Sequence, residues 1–361
     1  MIEQYNNTTT PTYNFPPHIQ HIELPQTLIE LSQTTMKNIE SCYLQSNQFS
    51  QNQKTIKHIA RQASINKVQK PKIKTISLEP STEKKSVVAV DVSSIRIGET
   101  EIGELCAIRG AIVWKEKTRY RYQRIGPFPF HITEQNKKEI DKLFRNNQFE
   151  FQSTTNIVNI HVRMGNLLER WLQLGISCSS HDTIILWDGS MTSGMVDCPT
   201  DEMVRLLEVT RNRLNTVLAF SKNTCLRFSG FKLTDYAKQA EPPCLLQIKD
   251  LPEASCPIFN LGDIYIAKLT QGVCSFRLDI DKKIPYKQAM DAVQSLLGND
   301  LLIQSYPETL RLAHIYSTFT ATEVIGIQRF IAHQYGLRIV TRPNVRRMLF
   351  GPFGKGAEAK Q

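Results

Sequence analysis

From residue 86 onward the chain alternates between short apolar runs and longer stretches with helical spacing. "SVVAVDVSS", beginning at Ser86, reads as a buried strand, because consecutive apolar residues suit a sheet covered on both faces. "GELCAIRGAIVWKEKTRYRYQRI" reads as two strands broken near Gly110. A helix over about 156–176 follows, then the strand "IILWD" ending at Asp188, a helix at about 200–214 and the strand "TVLAFSK" at 216–222. "DIYIAKLTQGVCSFRLDI" predicts a hairpin turning near Gln271 and Gly272, and helices at about 286–298, 308–318 and 321–335 complete the pattern. Strands first in a meander and then alternating with helices predict an α/β fold, a mixed sheet with helices on its faces.

Residues 1–85 have a different texture, rich in Asn, Gln, Thr and Ser, with Pro at 11, 16, 17, 25, 71 and 80. Two helical pieces are expected there, at about 26–47 and 52–68, the second carrying Lys54, Lys57, Arg61 and Lys67. The predicted organisation is a polar, partly helical arm over 1–85, a globular domain over 86–342, and a basic tail over 343–361. Among 361 residues, 44 Lys and Arg against 34 Asp and Glu leave a net charge of +10, which favours an anionic partner, nucleic acid first. The eight cysteines form no C-x-x-C pair and have no metal-finger spacing, so they read as reduced thiols of a cytoplasmic protein. No secretory pattern opens the sequence and no apolar run nears the ~18–20 residues needed to cross a bilayer, so no membrane partner is expected.

The chemistry lies in three carboxylates. Asp188, before Gly189, alone reads as a turn residue. Asp91 repeats the context, since the apolar run Val87–Val90 stops beside it. The helix between them places Val158, Val162, Gly165, Glu169, Leu172 and Ile176 on one face at spacings of four and three, with Glu169 the only charge among them. A charge inside an apolar stripe is costly unless it is paired, with Arg163 or Arg170 as the nearest candidates, or bound to a metal. Together Asp91, Glu169 and Asp188 form the hard-oxygen set that Mg²⁺ or Mn²⁺ requires. A haloacid-dehalogenase-like phosphatase would place a second aspartate two residues after Asp91, where Ser93 stands.

Lys222 ends its strand in the position equivalent to Asp188, where an ammonium could meet a phosphate. His314 and Tyr306 lie in "SYPETLRLAHIYS", with Pro307 placed for a first helical turn. In "KEKTRYRYQR", alternation along one strand would put Lys115, Lys117, Arg119 and Arg121 on one face, for DNA phosphates, and Tyr120 and Tyr122 on the other, for bases.

In order along 86–342, Asp91, Glu169, "LWDGS", "AFSK" and "YPETLRLAH" resemble the NurA family of archaeal and bacterial nucleases. The family's first aspartate is commonly followed by Gly-Ser, and here by Val92-Ser93. The resemblance implies an RNase H-like fold and a manganese-dependent DNA nuclease acting on single strands and, 5′ to 3′, on duplex ends. It also implies a homodimer docked on a HerA-type hexameric ATPase in end resection, with Asp91, Glu169 and Asp188 as metal ligands and Tyr306 and His314 in the site. In the corresponding mechanism Asp91 would bridge two ions, Mn²⁺ or Mg²⁺, and Glu169 and Asp188 would complete one shell each. Lys222 then offsets phosphate charge, His314 ligates an ion or carries a proton, and Tyr306 orients phosphate or stacks on a base. The alternatives are a non-catalytic nucleic-acid-binding adaptor on the same fold, or another RNase H-like nuclease such as a resolvase or transposase.

Overall fold

The computed structural model describes residues 26–37, 39, 43–46, 72–116, 118–138, 140, 160–194, 198–224, 226–228, 231–248 and 259–341. Its main sheet contains β1 (Tyr43–Ser46), β2 (Ile73–Ser77), β3 (Val87–Glu99), β4 (Gly103–Glu116), β5 (Arg119–Thr133), β6 (Ile184–Asp188), β7 (Thr216–Ser221), β8 (Cys244–Ile248), β9 (Gly262–Lys268), β10 (Phe276–Asp281) and β11 (Arg338–Thr341). At its centre the order is β5-β4-β3-β6-β7, with β3, β6 and β7 parallel and β4 antiparallel to both neighbours. An antiparallel meander followed by parallel crossovers is the RNase H-like arrangement. The antiparallel strands β10, β9, β8 and β2 extend the sheet beyond β7.

Among the described residues, six α-helices cover the sheet: α1 (Gln26–Lys37), α2 (Ile160–Ser179), α3 (Thr200–Asn212), α4 (Tyr286–Asn299), α5 (Glu308–Ser317) and α6 (Ala321–Gln334). The apolar runs of the parallel strands serve both faces by alternation. Val88, Val90, Ile185 and Trp187 pack with α1, α2 and α3, whereas Val87, Ala89, Ile184 and Leu186 pack with α4 and α5. A third cluster joins α6 to β1 and the far end of β3. Among the described residues, no helix is long and apolar enough to cross a membrane, and Cys106, Cys178, Cys244 and Cys274 are free thiols.

Several expectations change. The break expected at Gly110 is absent: β4 runs through it, with only a register irregularity against β5 between Ile108 and Gly110. Glycine there lets α2 pack closely, because a Cβ on Gly110 would lie 2.6 Å from Leu172 Cδ1 and this buried methyl would have to shift. The turn falls instead between Glu116 and Arg119. Asp91 is not at a strand end, since β3 continues to Glu99 by pairing with β4. What ends there is the partner on the other edge: β6 pairs only with Val87–Val90, and β1 meets β3 again at Gly98 and Glu99.

Three pieces of the 1–85 segment belong to the domain and not to a separate arm. α1 packs on β5 with Leu28 in the core, and Ser32 Oγ donates to the Pro129 carbonyl at 2.7 Å. β1 pairs with β11 and β3, and β2 with β8. The helix expected to reach residue 47 ends at Lys37, the strand Tyr43–Ser46 being held between two partners. The helix expected at 52–68, Val158, Lys117 and the tail 343–361 lie outside the described residues.

Gly110→Ala should destabilise the fold by about 1–3 kcal/mol, the usual cost of overpacking a close contact. Thermal or chemical denaturation checks this. Combined with Leu172→Ala, the loss should be smaller than the sum of the single losses, because the second change removes the clashing methyl.

Candidate active site

The end of β6 leaves a notch on the edge of β3, and the candidate chemistry gathers at it. Asp91 is the first β3 residue beyond the β6 pairing, and Asp188 is the last residue of β6. By alternation Asp91 shares the face of Val87 and Ala89, and Asp188 that of Ile184 and Leu186, so both point to the side covered by α5. From α5, His314 Nδ1 lies 2.9 Å from Asp91 Oδ2, across 223 residues of sequence. Ser317 Oγ, one turn further on, donates to the same oxygen at 2.7 Å, and Ser93 Oγ lies 3.1 Å from Ser317 Oγ. One carboxylate oxygen of Asp91 is thereby tied to the helix.

Past Asp188 the chain turns at Gly189, whose φ of +126° suits glycine and whose N–H donates to the Phe220 carbonyl at 2.8 Å. Two residues on, Met191 N–H donates at 2.9 Å to Oδ2 of the fully buried Asp279, which is also held by the Arg277 guanidinium at 2.6 and 2.7 Å. The loop leaving Asp188 is thus braced from the neighbouring strands. Lys222, just after β7, donates from Nζ to Asp188 Oδ2 at 2.5 Å and lies 5.5 Å from the Tyr306 ring centroid.

Tyr306 is buried edge-on against Phe220 and Phe276. Its hydroxyl is buried without a hydrogen-bond partner among the described residues. Burial pushes its pKa up, and the nearby Asp188 and Asp91 push the same way. It therefore stays a neutral hydroxyl, able to donate to a bound group.

Glu169 arrives from α2, on the opposite face of the sheet. Gln173 Nε2 donates to its Oε1 at 3.0 Å, and Arg170 Nη1 donates to Gln173 Oε1 at 2.7 Å. The glutamine amide thus stands between Arg170 and the Glu169 carboxyl. Burial pushes the Glu169 pKa up to about 8, Asp91 and Asp188 add to the rise, and Arg170 and Lys222 oppose it. The Asp188 carboxyl is likewise raised by burial and by Asp91, against the pull of Lys222 and His314.

Ligand atoms of Asp91, Asp188 and His314 all lie within 4.8 Å of one another. Two carboxylates and an imidazole suit a divalent transition metal or magnesium-like ion. Glu169 stands outside that triplet but feels both aspartates, a concentration of acidic groups that a dication would relieve. The residues present fit a divalent metal centre.

The structure therefore brings Asp91, Glu169, Asp188, Lys222, Tyr306 and His314 to one place. It does not put the basic residues on one face as expected. Lys115 belongs to β4, Arg119 and Arg121 belong to β5, and Lys117 lies outside the described residues. Directly opposed residues of an antiparallel pair share a face, so Lys115 sits with Tyr120, while Arg121 sits with Trp114 on the other face and Arg119, two residues before it, shares that face. The intervening turn breaks the alternation assumed for one strand. Both tyrosines also have structural partners. Tyr120 donates to Asp300 Oδ1 at 2.8 Å and lies 4.1 Å from Lys115 Nζ, and Tyr122 stacks on Tyr316 of α5 at 3.9 Å between ring centroids. Ser317 escaped the sequence reading, although its spacing of three from His314 puts it on the same helix face.

No family model and no curated protein matches the sequence. Among solved structures, the chain is similar to NurA nucleases. The NurA nuclease from Sulfolobus solfataricus aligns with a TM-score of 0.46 at 15% identity, covering 72% of this chain and 88% of that one. A second NurA structure gives 0.41 at 9%, covering 70% and 90%. Endonuclease V from Bacillus subtilis gives 0.33 at 12%, covering 72% and 88%. At these scores the likeness carries no argument about chemistry, which rests on the side chains.

Unfolded, Glu169 ionises near its ordinary value of 4.5, whereas in the fold it holds its proton up to about 8. Its contribution to stability is complete below the lower value and is lost as pH rises through the higher one. In chelator, Glu169→Gln should therefore show a Tm advantage over the parent chain that grows from about pH 5 to about pH 8 and then levels. Parallel Tm curves for the two proteins would contradict the raised pKa.

Proposed function

We propose that this chain is a divalent-metal-dependent DNA nuclease that hydrolyses phosphodiester bonds at the Asp91, Asp188 and His314 centre. The observation that carries this reading is the convergence of those three ligand groups, from three separate elements, to within 4.8 Å. Asp91, Asp188 and His314 would hold the ion, with Glu169 completing the shell. A divalent ion bound there supplies positive charge for the scissile phosphate and acidifies water. A nucleic-acid substrate is supported by the net charge of +10.

The chain's own groups have distinct parts. Since a carboxylate only accepts hydrogen bonds, His314 carries its proton on Nδ1 toward Asp91 Oδ2, which leaves the single Nε2 lone pair for one of two uses, as a ligand of the ion or, when it does not ligate, as the acceptor of a proton from water. The imidazole is 49% exposed, so it can pass that proton on to solvent or to the leaving oxygen. Ser317 fixes the Asp91 carboxylate. Lys222 supplies an ammonium at Asp188 that can turn to a phosphate oxygen, and the unpartnered Tyr306 hydroxyl can donate to another.

The finer reading follows the sequence resemblance: Mn²⁺ as the preferred ion, two ions at work, endonuclease action on single strands, and 5′ to 3′ exonuclease action on duplex ends. It extends to a homodimer working with a HerA-type hexameric ATPase in end resection. Nothing in the sequence resembles a G-x-x-x-x-G-K-[ST] phosphate-cradling loop, so strand separation would be the partner's task.

Asp91→Asn and Asp188→Asn should each lower Mn²⁺-dependent cleavage of labelled single-stranded DNA at least a hundredfold. Binding of DNA should stay within a few-fold, because phosphate affinity comes mainly from Lys and Arg. Calorimetric titration with Mn²⁺ should show weakened ion binding in both variants. Near-normal cleavage by either one would remove the assignment, and a wild-type chain that binds DNA without cutting it would favour the adaptor. The isolated chain should scatter light as a dimer at micromolar concentration; a monomer that degrades long duplexes unaided would contradict the partner reading.

A further inference from the structure

A cleft of about 260 Å³ lies between α2 and α3, and its walls include Arg170, Trp171, Leu174, Glu202, Arg205 and Leu206. None of these residues supplies a ligand group to the Asp91, Asp188 and His314 centre. The cleft opens at the same end of the sheet, because α3 begins at Thr200, after the loop that leaves Asp188, and Glu202 and Arg205 lie in its first two turns. Arg170 ties the cleft to the centre in two ways. Its guanidinium lies 5.9 Å from the ring of Trp187, the residue before Asp188. It also donates to Gln173, which in turn donates to Glu169.

The chemistry of the walls is mixed in a specific way. Trp171, Leu174 and Leu206 give the cleft an apolar side against which an aromatic ring can pack. Arg170 and Arg205 outnumber Glu202, and guanidinium groups pair with phosphate oxygens in a fork. The volume is below the roughly 300–1,000 Å³ of drug-sized sites and suits one nucleotide unit.

We propose that this cleft is a subsite for one nucleotide of the substrate strand, beside the nucleotide that carries the scissile phosphate. Its base lies against Trp171, and its phosphate is held by Arg170 and Arg205. The proposal rests on the nuclease reading above and adds to it: the strand is gripped across the end of the sheet, with Asp91, Asp188 and His314 on one face and this nucleotide on the other. A mononucleotide product would compete for the same place.

The test uses the full chain in chelator, with deoxyadenosine monophosphate as probe in isothermal titration and with deoxyadenosine and inorganic phosphate as separate arms. The monophosphate should bind at least about tenfold more tightly than either fragment, a difference of ~1.4 kcal/mol. Arg205→Ala and Leu174→Glu, both at partly exposed positions, should each weaken it about tenfold with Tm unchanged, and Asp91→Asn should leave it intact. With Mn²⁺, Arg205→Ala should raise KM for an oligonucleotide more than it lowers kcat. Absence of monophosphate binding by the folded chain, or binding that both cleft variants leave untouched, overturns the subsite. Cleavage without such binding leaves the nuclease reading standing alone, whereas cleft-dependent binding in a chain that never cleaves DNA removes the nuclease reading instead.

Discussion

The cost of taking carboxylates out of water at the end of β6 is the constraint around which the site is arranged. Burial pushes the Glu169 pKa up to about 8, and the nearby Asp91 and Asp188 add to the rise. Such a group of acids is tolerated only with compensating charge or hydrogen bonds. The surroundings supply both: Lys222 at Asp188, His314 and Ser317 at Asp91, and Gln173 with Arg170 behind it at Glu169. What the side chains compensate in part, a divalent ion would compensate more fully, so the unfavourable electrostatics and the proposed chemistry have the same origin.

The scaffold keeps these groups from moving apart. α5 carries both partners of Asp91 and is fixed at each end. Near its start, Asp300 Oδ2 accepts the Thr309 N–H at 3.0 Å while Oδ1 takes the Tyr120 hydroxyl. After its end, Glu323 caps α6 through Thr320 and pairs with Arg124 and Arg109. Burial alone would raise the Glu323 pKa, but the Thr320 backbone N–H and the two guanidiniums bring it down to about 2. Arg124 Nε also donates to the Tyr316 carbonyl at 3.1 Å. The β4–β5 hairpin, expected from sequence as a DNA-binding face, thus also acts as a brace for the helix that bears His314.

Much of this was legible in the residues. The strand runs at 87–90, 184–188 and 216–221, and the helices near 200, 286, 308 and 321, follow from apolar periodicity, because a continuous apolar run and a 3.6-residue repeat bury differently. Glu169 stood out because it is the one charge in an apolar stripe. Where the reading failed, a distant partner was responsible. Gly110 does not break β4, because β3 and β5 pair with it from both sides. Asp91 does not end its strand, because β4 continues to supply hydrogen bonds after β6 has stopped.

The sequence by itself determined the element types, the two aspartates following apolar runs and the net positive charge, since these depend on local propensity, period and composition. It did not determine that Asp91 and Asp188 point to the face of α5 while Glu169 approaches from the other. That depends on strand register, and a shift of one residue would send each aspartate to the opposite side. Nor could it place Ser317, Asp279 or the cleft beside Arg170, because each owes its position to contacts between segments far apart in the chain. The residue types were written locally, but their meeting at the end of β6 was decided by parallel pairing, which only the folded sheet enforces.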